Sequence, residues 1–206
     1  PCRDLFAAAP RDLASSLGLE TREVAVATLL IAPGIPNTLF NRVIGFGNEH
    51  PAGEGDLAQI ITIYRHAGVS NWWLHLSPGA QPVTLMDLFG AHGFAPPPRR
   101  TWAKMLRGVE PSRLTDTPLE VRVLRNGEEA ALGETLCAAF EMSAAWAPWF
   151  AEVAGRDGWR AVAAFEGRTL VGGGLLYILD NTAWLGAGGV RPEARGRHAH
   201  RALMTL

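Results

Sequence analysis

The stretch Gly189-Val-Arg-Pro-Glu-Ala-Arg-Gly-Arg-His-Ala-His-Arg-Ala-Leu-Met204 decides which fold the sequence predicts. It begins at the end of an apolar strand and turns at Pro192. It then passes through Arg195-Gly196-Arg197 into a segment with the apolar periodicity of a helix. A turn that brings backbone N–H groups and cations to the start of a helix is suited to binding phosphate. The stretch therefore predicts a phosphate-binding turn.

The residues before this turn predict a strand, two helices and three strands, in that order. The first helix is expected to be capped by Asn126, with Glu129 in the capping-box position. Its apolar face would carry Leu132, Leu136 and Phe140. We expect the remaining elements to be strands at residues 119–124, 159–165, 169–179 and 182–190, and a helix at 146–153. The run Gly172-Gly173-Gly174 is interpreted as a strand bulge.

The N-terminal half also predicts alternating strands and helices. Residues 1–22 are helix-prone, and the Pro-Gly turn at 33–37 separates strands at 23–31 and 38–45. A helix at 55–68 begins near Asp56 and shows the stripe Leu57, Ile60, Ile61 and Tyr64. Further elements are a strand at 71–76, a helix at 83–92 and a strand at 100–106. The polar, proline-broken stretch that follows predicts a linker at 111–118, between an N-terminal portion at 1–110 and a C-terminal portion at 119–206.

The turn resembles the acyl-CoA-binding motif of the GNAT family of N-acyltransferases. That motif is Arg or Gln, two variable residues, Gly, one variable residue, then Gly or Ala; here it reads Arg195-Gly196-Arg197-His198-Ala199-His200. His198 and His200 replace the small residues of the family. Their side chains either crowd a phosphate or, when protonated, bind it. The resemblance implies a mixed α/β fold, with a GNAT-like central mixed sheet flanked by helices. The N-terminal half resembles late GNAT elements and is interpreted as a degenerate second copy, as in a tandem member.

The resemblance implies acetyl transfer from acetyl-CoA to an amine by direct attack. The cofactor-binding residues would be Gly188, Val190, Arg195, Gly196, Arg197, His198, Ala199 and His200. Trp146 and Trp149 would lie near the acceptor, although their spacing with Phe150 also fits a core face. Neither the general base nor the acid can be assigned. Glu141 and Glu152 fit solvated helix surfaces as well as a base, and Tyr177 fits a packed strand residue as well as an acid. The competing hypothesis is a non-catalytic GNAT-shaped binding or assembly module.

Composition narrows the function classes further. The 206 residues carry 19 basic and 20 acidic side chains, so no nucleic-acid partner is expected. Cys2 and Cys137 are far apart and the histidines are scattered, which predicts no metal site. No apolar run is long enough for a membrane helix, and we expect a cytoplasmic protein. A complete GNAT domain would continue beyond Leu206. The N-terminal half, or a second copy in a homodimer, is expected to supply that part.

Overall fold

The structure, a computed structural model, describes residues 1–96, 108, 110, 113 and 115–206 of the chain. The chain divides into a C-terminal unit, made of Pro1–Leu13 and Val109–Leu206, and an N-terminal unit, Ala14–Gly108. The first thirteen residues thus belong with the C-terminal unit, whereas the sequence grouped them with the N-terminal portion. The predicted strand at 100–106 lies outside the described residues, as does part of the predicted linker.

The N-terminal unit contains a four-stranded sheet in the order β1-β2-β3-β4, in which only β3 and β4 are parallel. Its strands are β1 (Glu20–Val24), β2 (Ala27–Ile31), β3 (Arg42–Ile44) and β4 (Trp73–Leu74). The helices between residues 1 and 96, in chain order, are α1 (Cys2–Ala7), α2 (Arg11–Leu17), α3 (Glu54–His66) and α4 (Leu85–Ala91).

Helix α3 confirms the predicted amphipathic stripe. Leu57, Ile60 and Tyr64 are buried, and the Tyr64 hydroxyl donates to the Leu30 carbonyl at 2.9 Å. Burial raises the pKa of this phenol well above its ordinary value. The single strand predicted at 23–31 is wrong. It is a tight hairpin of β1 and β2, in which Val24 pairs with Ala27, and no Gly or Pro marks the turn.

The C-terminal unit confirms the predicted order of strand, two helices, three strands, turn and helix. Its sheet is antiparallel throughout, in the order β5-β6-β7-β8. The strands are β5 (Glu120–Val123), β6 (Trp159–Glu166), β7 (Thr169–Leu179) and β8 (Thr182–Val190). The helices are α5 (Glu129–Ala139), α6 (Ala147–Gly155) and α7 (Ala199–Leu203), with 3-10 turns at Ala144–Trp146 and Pro192–Ala194.

The cap predicted for α5 is wrong. The helix begins at Glu129 with Glu128 in the N-cap position, two residues beyond Asn126. The Glu128 carboxylate accepts from the Arg125 N–H and from the Arg122 guanidinium, each at 2.8 Å. These bonds lower the pKa of Glu128 to about 2, so the turn is organised by a charged carboxylate. On the predicted apolar face, Leu132 and Leu136 are buried but Phe140 is 45 % exposed.

Two glycines allow the helices of this unit to pack closely. A Cβ on Gly173 would overlap the Leu132 side chain of α5, and one on Gly133 would overlap the Ala147 carbonyl of α6. The glycine run in β7 therefore forms a close-packing surface. The prediction of a bulge at residues 172–174 is wrong. All three glycines pair in register with β6, and the extra residue of the ladder is Val171.

Helix α1 completes the core of the C-terminal unit. The Trp149 indole N–H donates to the Leu5 carbonyl at 2.6 Å, and the Phe6 ring meets the Trp149 ring edge-on. The Asp4 carboxylate accepts hydrogen bonds from Arg156 at 2.9 Å and from the Trp159 indole. Burial raises the pKa of Asp4, but its hydrogen bonds with Arg156 and Trp159 outweigh burial and leave the pKa lowered. The first helix is thus held by its own polar contacts as well as by packing.

Candidate cofactor site at the β8–α7 turn

Strand β8 presents the backbone of Gly188 and Val190 at the edge of its sheet. Val190 pairs with Gly172, while the next N–H along the chain, that of Arg191, donates to Val171 at 2.9 Å. In an antiparallel ladder this alternation puts Gly188 and Val190 in the non-hydrogen-bonded positions. Their N–H and C=O groups therefore point away from β7, where an extended ligand could pair with all of them except the Val190 carbonyl, which accepts from Arg195.

A bulge distorts β8 just before these two residues. The register with β7 shifts between Gly174–Gly188 and Leu176–Leu185, which leaves one extra residue within the stretch 186–187 of β8. Glycine within a strand is typical of a bulge and also of a site where another backbone approaches closely. Beyond the bulge, Gly189 faces α5, because a Cβ there would lie 2.7 Å from the Ala139 Cβ.

The turn itself contains two left-handed residues. Gly196 has φ +82°, and His198, at the N-cap of α7, has φ 60° and ψ 12°. Left-handed backbone is readily adopted by Gly, whereas a side chain makes it costly. His198 thus keeps the backbone shape that a glycine would adopt at this motif position.

The first turn of α7 leaves the backbone N–H groups of Ala199, His200 and Arg201 without an acceptor inside the helix, since the first helical bond is the one from the Ala202 N–H to the His198 carbonyl. Buried backbone donors are nearly always paired, and those at a helix start are paired by side chains, water or a ligand. The side chain of His198 does not cap α7. The turn therefore offers a row of donors suited to an anion.

Three arginines near the turn are committed to protein partners. Arg195 donates to the Val190 carbonyl at 3.3 Å and to the Ala139 carbonyl at 3.1 Å. Arg197 forms an ion pair with Glu166, and its own carbonyl accepts from the Thr117 hydroxyl at 2.8 Å. Arg191 donates to the Thr135 hydroxyl at 3.1 Å. Arg195 and Arg197, which the sequence analysis assigned to cofactor binding, therefore stabilise the conformation of the turn.

A cavity of about 290 Å³ opens at the turn. It is lined in part by the exposed residues His198, His200 and Arg201, for whose side chains no hydrogen bond or ion pair occurs among the described residues. The imidazole of His200 lies over β8, since a Cβ on Gly188 would be 3.4 Å from its Nε2 atom. No carboxylate lines the cavity. Its lining residues are Val190, Ala194, Arg195, Gly196, His198, Ala199, His200 and Arg201.

Solved structures with the same architecture align with both units. GCN5-related N-acetyltransferases from Sphaerobacter thermophilus and Kribbella flavida match with TM-scores of 0.56 and 0.53, at 18 % and 14 % identity. The alignments cover 100 % and 99 % of this chain, and 77 % of each of those chains. This chain has the GNAT fold.

A third match is shorter. The ribosomal-protein-alanine N-acetyltransferase of Brucella melitensis biovar Abortus 2308 aligns with 42 % of this chain at 18 % identity and a TM-score of 0.36. The aligned part spans 66 % of that protein's length. No protein-family model matches the sequence, and no curated protein matches it either.

Of the two residues that the sequence assigned to an acceptor, Trp149 lies in the core of the GNAT fold. It is 0 % exposed, and its indole N–H is occupied by Leu5. Trp149 therefore follows the core-face alternative, and only the half-buried Trp146 has surface to offer a substrate.

The catalytic groups weighed from the sequence lie away from the cavity. Glu141 and Glu152 are exposed and absent from its lining, and the Glu152 charge adds to the effect of Asp4 in raising the pKa of Arg156. Tyr177 is half-buried and packs against Trp159, with ring centroids 5.0 Å apart. The sequence missed Arg201, whose place one residue after His200 was the available signal. It also missed Thr117, for which no local signal exists.

The features of residues 1–96, 108, 110, 113 and 115–206 also bear on metal binding and on insertion into a membrane. This part of the chain contains no group of three or more His, Cys, Asp or Glu side chains placed to hold a metal ion. It also contains no helix with the length and apolar character needed to cross a bilayer. Cys2 and Cys137 form no disulfide, and burial raises the pKa of Cys137, which disfavours its reactive thiolate.

Proposed function

We propose that the chain is an N-acetyltransferase that uses acetyl-CoA and transfers its acetyl group to an amine by direct attack. The observation that carries this proposal is the left-handed backbone at His198, because it preserves the open row of N–H donors despite the loss of glycine. The GNAT fold of the chain supports the same reaction class. Peptides, polyamines and aminoglycosides all remain candidate acceptors, because specificity depends on the site and not on the fold.

The residues of the turn fit the pyrophosphate of the cofactor. Its charge would be met by the N–H groups of the first turn of α7, Ala199, His200 and Arg201, which have no acceptor inside the helix. The cavity of about 290 Å³ is at the lower end of the range of ligand pockets, so it suits this part of the cofactor alone. Arg195 would support the site through the backbone it binds.

The edge of β8 fits an extended amide-containing arm. Gly188 and Val190 direct their backbone groups away from β7, so they could pair with the pantetheine portion. When bound, acetyl-CoA supplies an acyl group activated as a thioester. The Val190 N–H would then stabilise negative charge on the carbonyl oxygen, as in an oxyanion hole. A tandem GNAT origin and a homodimer remain predictions.

A second candidate function is a non-catalytic binding or assembly module. The observation that favours it is the His200 imidazole, which lies beside Gly188 where the cofactor arm is expected to run. The ring covers a face of β8 close to the backbone with which the cofactor arm would pair. The absence of a carboxylate from the cavity lining also leaves the reaction without an assigned base.

Thermal unfolding with rising acetyl-CoA, and with CoA alongside, tests the proposal. A ligand that binds only the folded state stabilises it by about 2.7 kcal/mol at 100 times its dissociation constant. We expect a saturable rise in melting temperature, followed by release of CoA thiol when an amine panel is added. Binding without thiol release across the panel would favour the module. No shift with either ligand, from a folded protein, would overturn the acetyltransferase and leave the binding or assembly module.

A further inference from the structure

An exposed indole on β8 is held in place by its neighbours. The six-membered ring of Trp184 rests on Gly186, because a Cβ at that glycine would lie 2.4 Å from the ring. Its flank meets the ring of Trp159, with centroids 6.3 Å apart and planes at 83°. Trp159 is buried and packs against Tyr177, which pairs with Trp184 across the β7–β8 ladder. Trp184 is nevertheless 43 % exposed, so a constrained aromatic surface faces solvent.

A constrained indole of this kind is suited to binding a ligand. Trp offers a large contact surface with only two side-chain torsions to fix, and its ring face attracts cations more strongly than that of Tyr or Phe. Gly186 is specific to this arrangement, since any side chain there would displace the ring. No cation lies over the ring of Trp184 within the part of the chain that the structure describes.

The charge around this ring is negative. Asp157, in the turn before β6, and Asp180, in the β7–β8 turn, are exposed and form no hydrogen bond or ion pair with other described residues. Strand spacing and rise place both at roughly 10 Å from the ring. Of the nearby cations on β6 and the turn before it, Arg156 is paired with Asp4, and Arg160 projects from the opposite face of β6.

We propose that Trp184 binds a positively charged nitrogen of the acetyl acceptor, and that the acceptor carries at least two basic nitrogens joined by an aliphatic chain. This inference rests on the proposed acetyl transfer and names its substrate class. Leu179 is exposed on the same face of the sheet, two residues beyond Tyr177, so it offers apolar contact to methylene groups.

The two nitrogens are needed because their roles are incompatible. The nitrogen that reacts must be neutral, so that its lone pair can form the bond to the acetyl carbon. The C–S bond then breaks with its electron pair on sulfur, the nitrogen gives up one proton, and the sulfur takes up one, which yields the amide and the CoA thiol. The nitrogen on Trp184 must keep its charge, as an alkylammonium with a pKa near the lysine value of about 10.4 does at pH 7.

The spacing of the two positions sets the length of the acceptor. Trp184 lies on the strand whose Gly188 and Val190 are proposed to pair with the cofactor arm. From Gly186, beneath the indole, to Val190 the strand rises roughly 13 Å, and the bulge between them shortens this distance. A linear tetraamine is long enough to reach from the indole to the thioester, whereas a short monoamine occupies only one position.

Spermine, a linear tetraamine, is the probe, and hexylamine, which has one charge, is its comparison. Calorimetry without cofactor gives the dissociation constants of both amines, so the amine site is measured separately from the cofactor site. We expect spermine to bind at least tenfold more tightly than hexylamine. With acetyl-CoA present, release of CoA thiol should show acetylation of spermine.

The key variants are Trp184→Leu, which removes the ring, and Gly186→Ala, which displaces it. Each should weaken spermine binding about three- to tenfold, and Trp184→Phe should lie between Trp184→Leu and the natural chain. The matched control is Leu185→Ser, which changes an exposed apolar residue on the opposite face of β8 and should leave the affinity unchanged. In turnover, Trp184→Leu should raise KM for spermine with kcat unchanged. The acetyl-CoA melting shift should be the same in all four variants.

The two aspartates give a salt-dependent readout. Asp157→Asn/Asp180→Asn should weaken spermine binding about twofold at low ionic strength. This loss should disappear at 1 M salt, where the screening length is about 3 Å, whereas the loss in Trp184→Leu should persist. A loss in Trp184→Leu that also disappears at 1 M salt would overturn the role of the ring.

Other outcomes would also overturn this inference. Equal spermine affinity in Trp184→Leu and the natural chain would do so, as would tighter binding of adenosine, an uncharged planar molecule, than of spermine. A dimer in sedimentation that Trp184→Leu dissociates would show that a second copy covers the ring instead. No spermine binding with the acetyl-CoA shift intact would overturn this inference alone. No acetyl-CoA shift would overturn the proposed function, and with it the role of any bound amine as acceptor.

Discussion

The guanidinium of Arg195 is bonded to the last residue of α5, with 3.1 Å between Nη2 and the Ala139 carbonyl oxygen. The two residues are 56 positions apart in sequence, so this bond joins the turn to the helix behind the sheet. A cation at a helix C-terminus is also stabilised by the helix dipole. Arg195 is therefore expected to act on stability as well as on binding.

Replacing Arg195 with Ala should lower the free energy of unfolding by about 1 kcal/mol, since hydrogen bonds to charged groups are worth somewhat more than neutral ones but this side chain is exposed. The measurement is the urea midpoint. Arg201→Ala is the matched control, because it removes the same charge where no polar partner occurs among the described residues. A midpoint unchanged in Arg195→Ala, or lowered equally in both variants, would contradict the assignment.

Neighbouring glycines on β8 should respond differently to substitution. Gly189→Ala would bring a Cβ to 2.7 Å from the Ala139 Cβ, so overpacking should cost about 1–3 kcal/mol of unfolding free energy. Gly188→Ala would meet the His200 ring at 3.4 Å and the Gly186 carbonyl at 3.9 Å, and should stay within about 0.5 kcal/mol of the natural chain. Melting temperatures of the two variants check the prediction. Equal losses would mean that β8 does not face α5 as described.

His198 should accept only residues that tolerate left-handed backbone. We expect His198→Gly to match or exceed the natural stability by up to about 1 kcal/mol, because it relieves strain while adding freedom to the unfolded chain. His198→Val should be destabilised by more than about 1 kcal/mol, since branching at Cβ makes this conformation costly. Chemical denaturation ranks the variants, and a Val variant as stable as Gly would show that the turn has another shape.

The ion pair between Asp4 and Arg156 should make the free energy of unfolding depend on pH in the acidic range. The pKa of Asp4 is lowered in the folded chain, so its contribution is present above the ordinary aspartate range and is lost as pH falls through the folded value. The side chains are 39 % and 27 % exposed for Arg156 and Asp4, which limits the contribution to about 1 kcal/mol. Denaturation midpoints at pH 7, 5, 4 and 3 should show Asp4→Asn approaching the natural chain below about pH 4. A constant gap from pH 7 to 3 would refute this account.

The sequence predicted the elements that have strong periodic patterns. Helix α3, the β6–β7 hairpin and the order of elements around the turn follow from apolar spacing and from the turn residues between them. The sequence-based prediction failed where tertiary contacts determine the bounds of an element. The end of α5 leaves Phe140 exposed because the helix stops there, and the hairpin of β1 and β2 lacks the usual turn residues.

At the candidate site, the motif indicated the right backbone and misassigned the side chains. The left-handed shape at His198 follows from the place of glycine in the family motif. The partners of Arg195 and Arg197, Ala139 and Glu166, are 56 and 31 residues away, so no local pattern indicates them. The burial of Trp149 under α1 joins residues 144 positions apart, which also lies beyond periodicity.

The contacts of α1 with Trp149 and Arg156 also bear on how the chain folds as it is synthesised. This helix leaves the ribosome before its partners α6 and β6, which emerge only after the whole N-terminal unit has been translated. Its apolar side, including Phe6, must therefore wait in solvent or be shielded by a chaperone. Recombinant fragments that start at residue 109 would expose the Trp149 ring and leave its N–H without the Leu5 carbonyl. The C-terminal unit should then be obtained in folded form only when the first helix is present, on the same chain or added as a peptide.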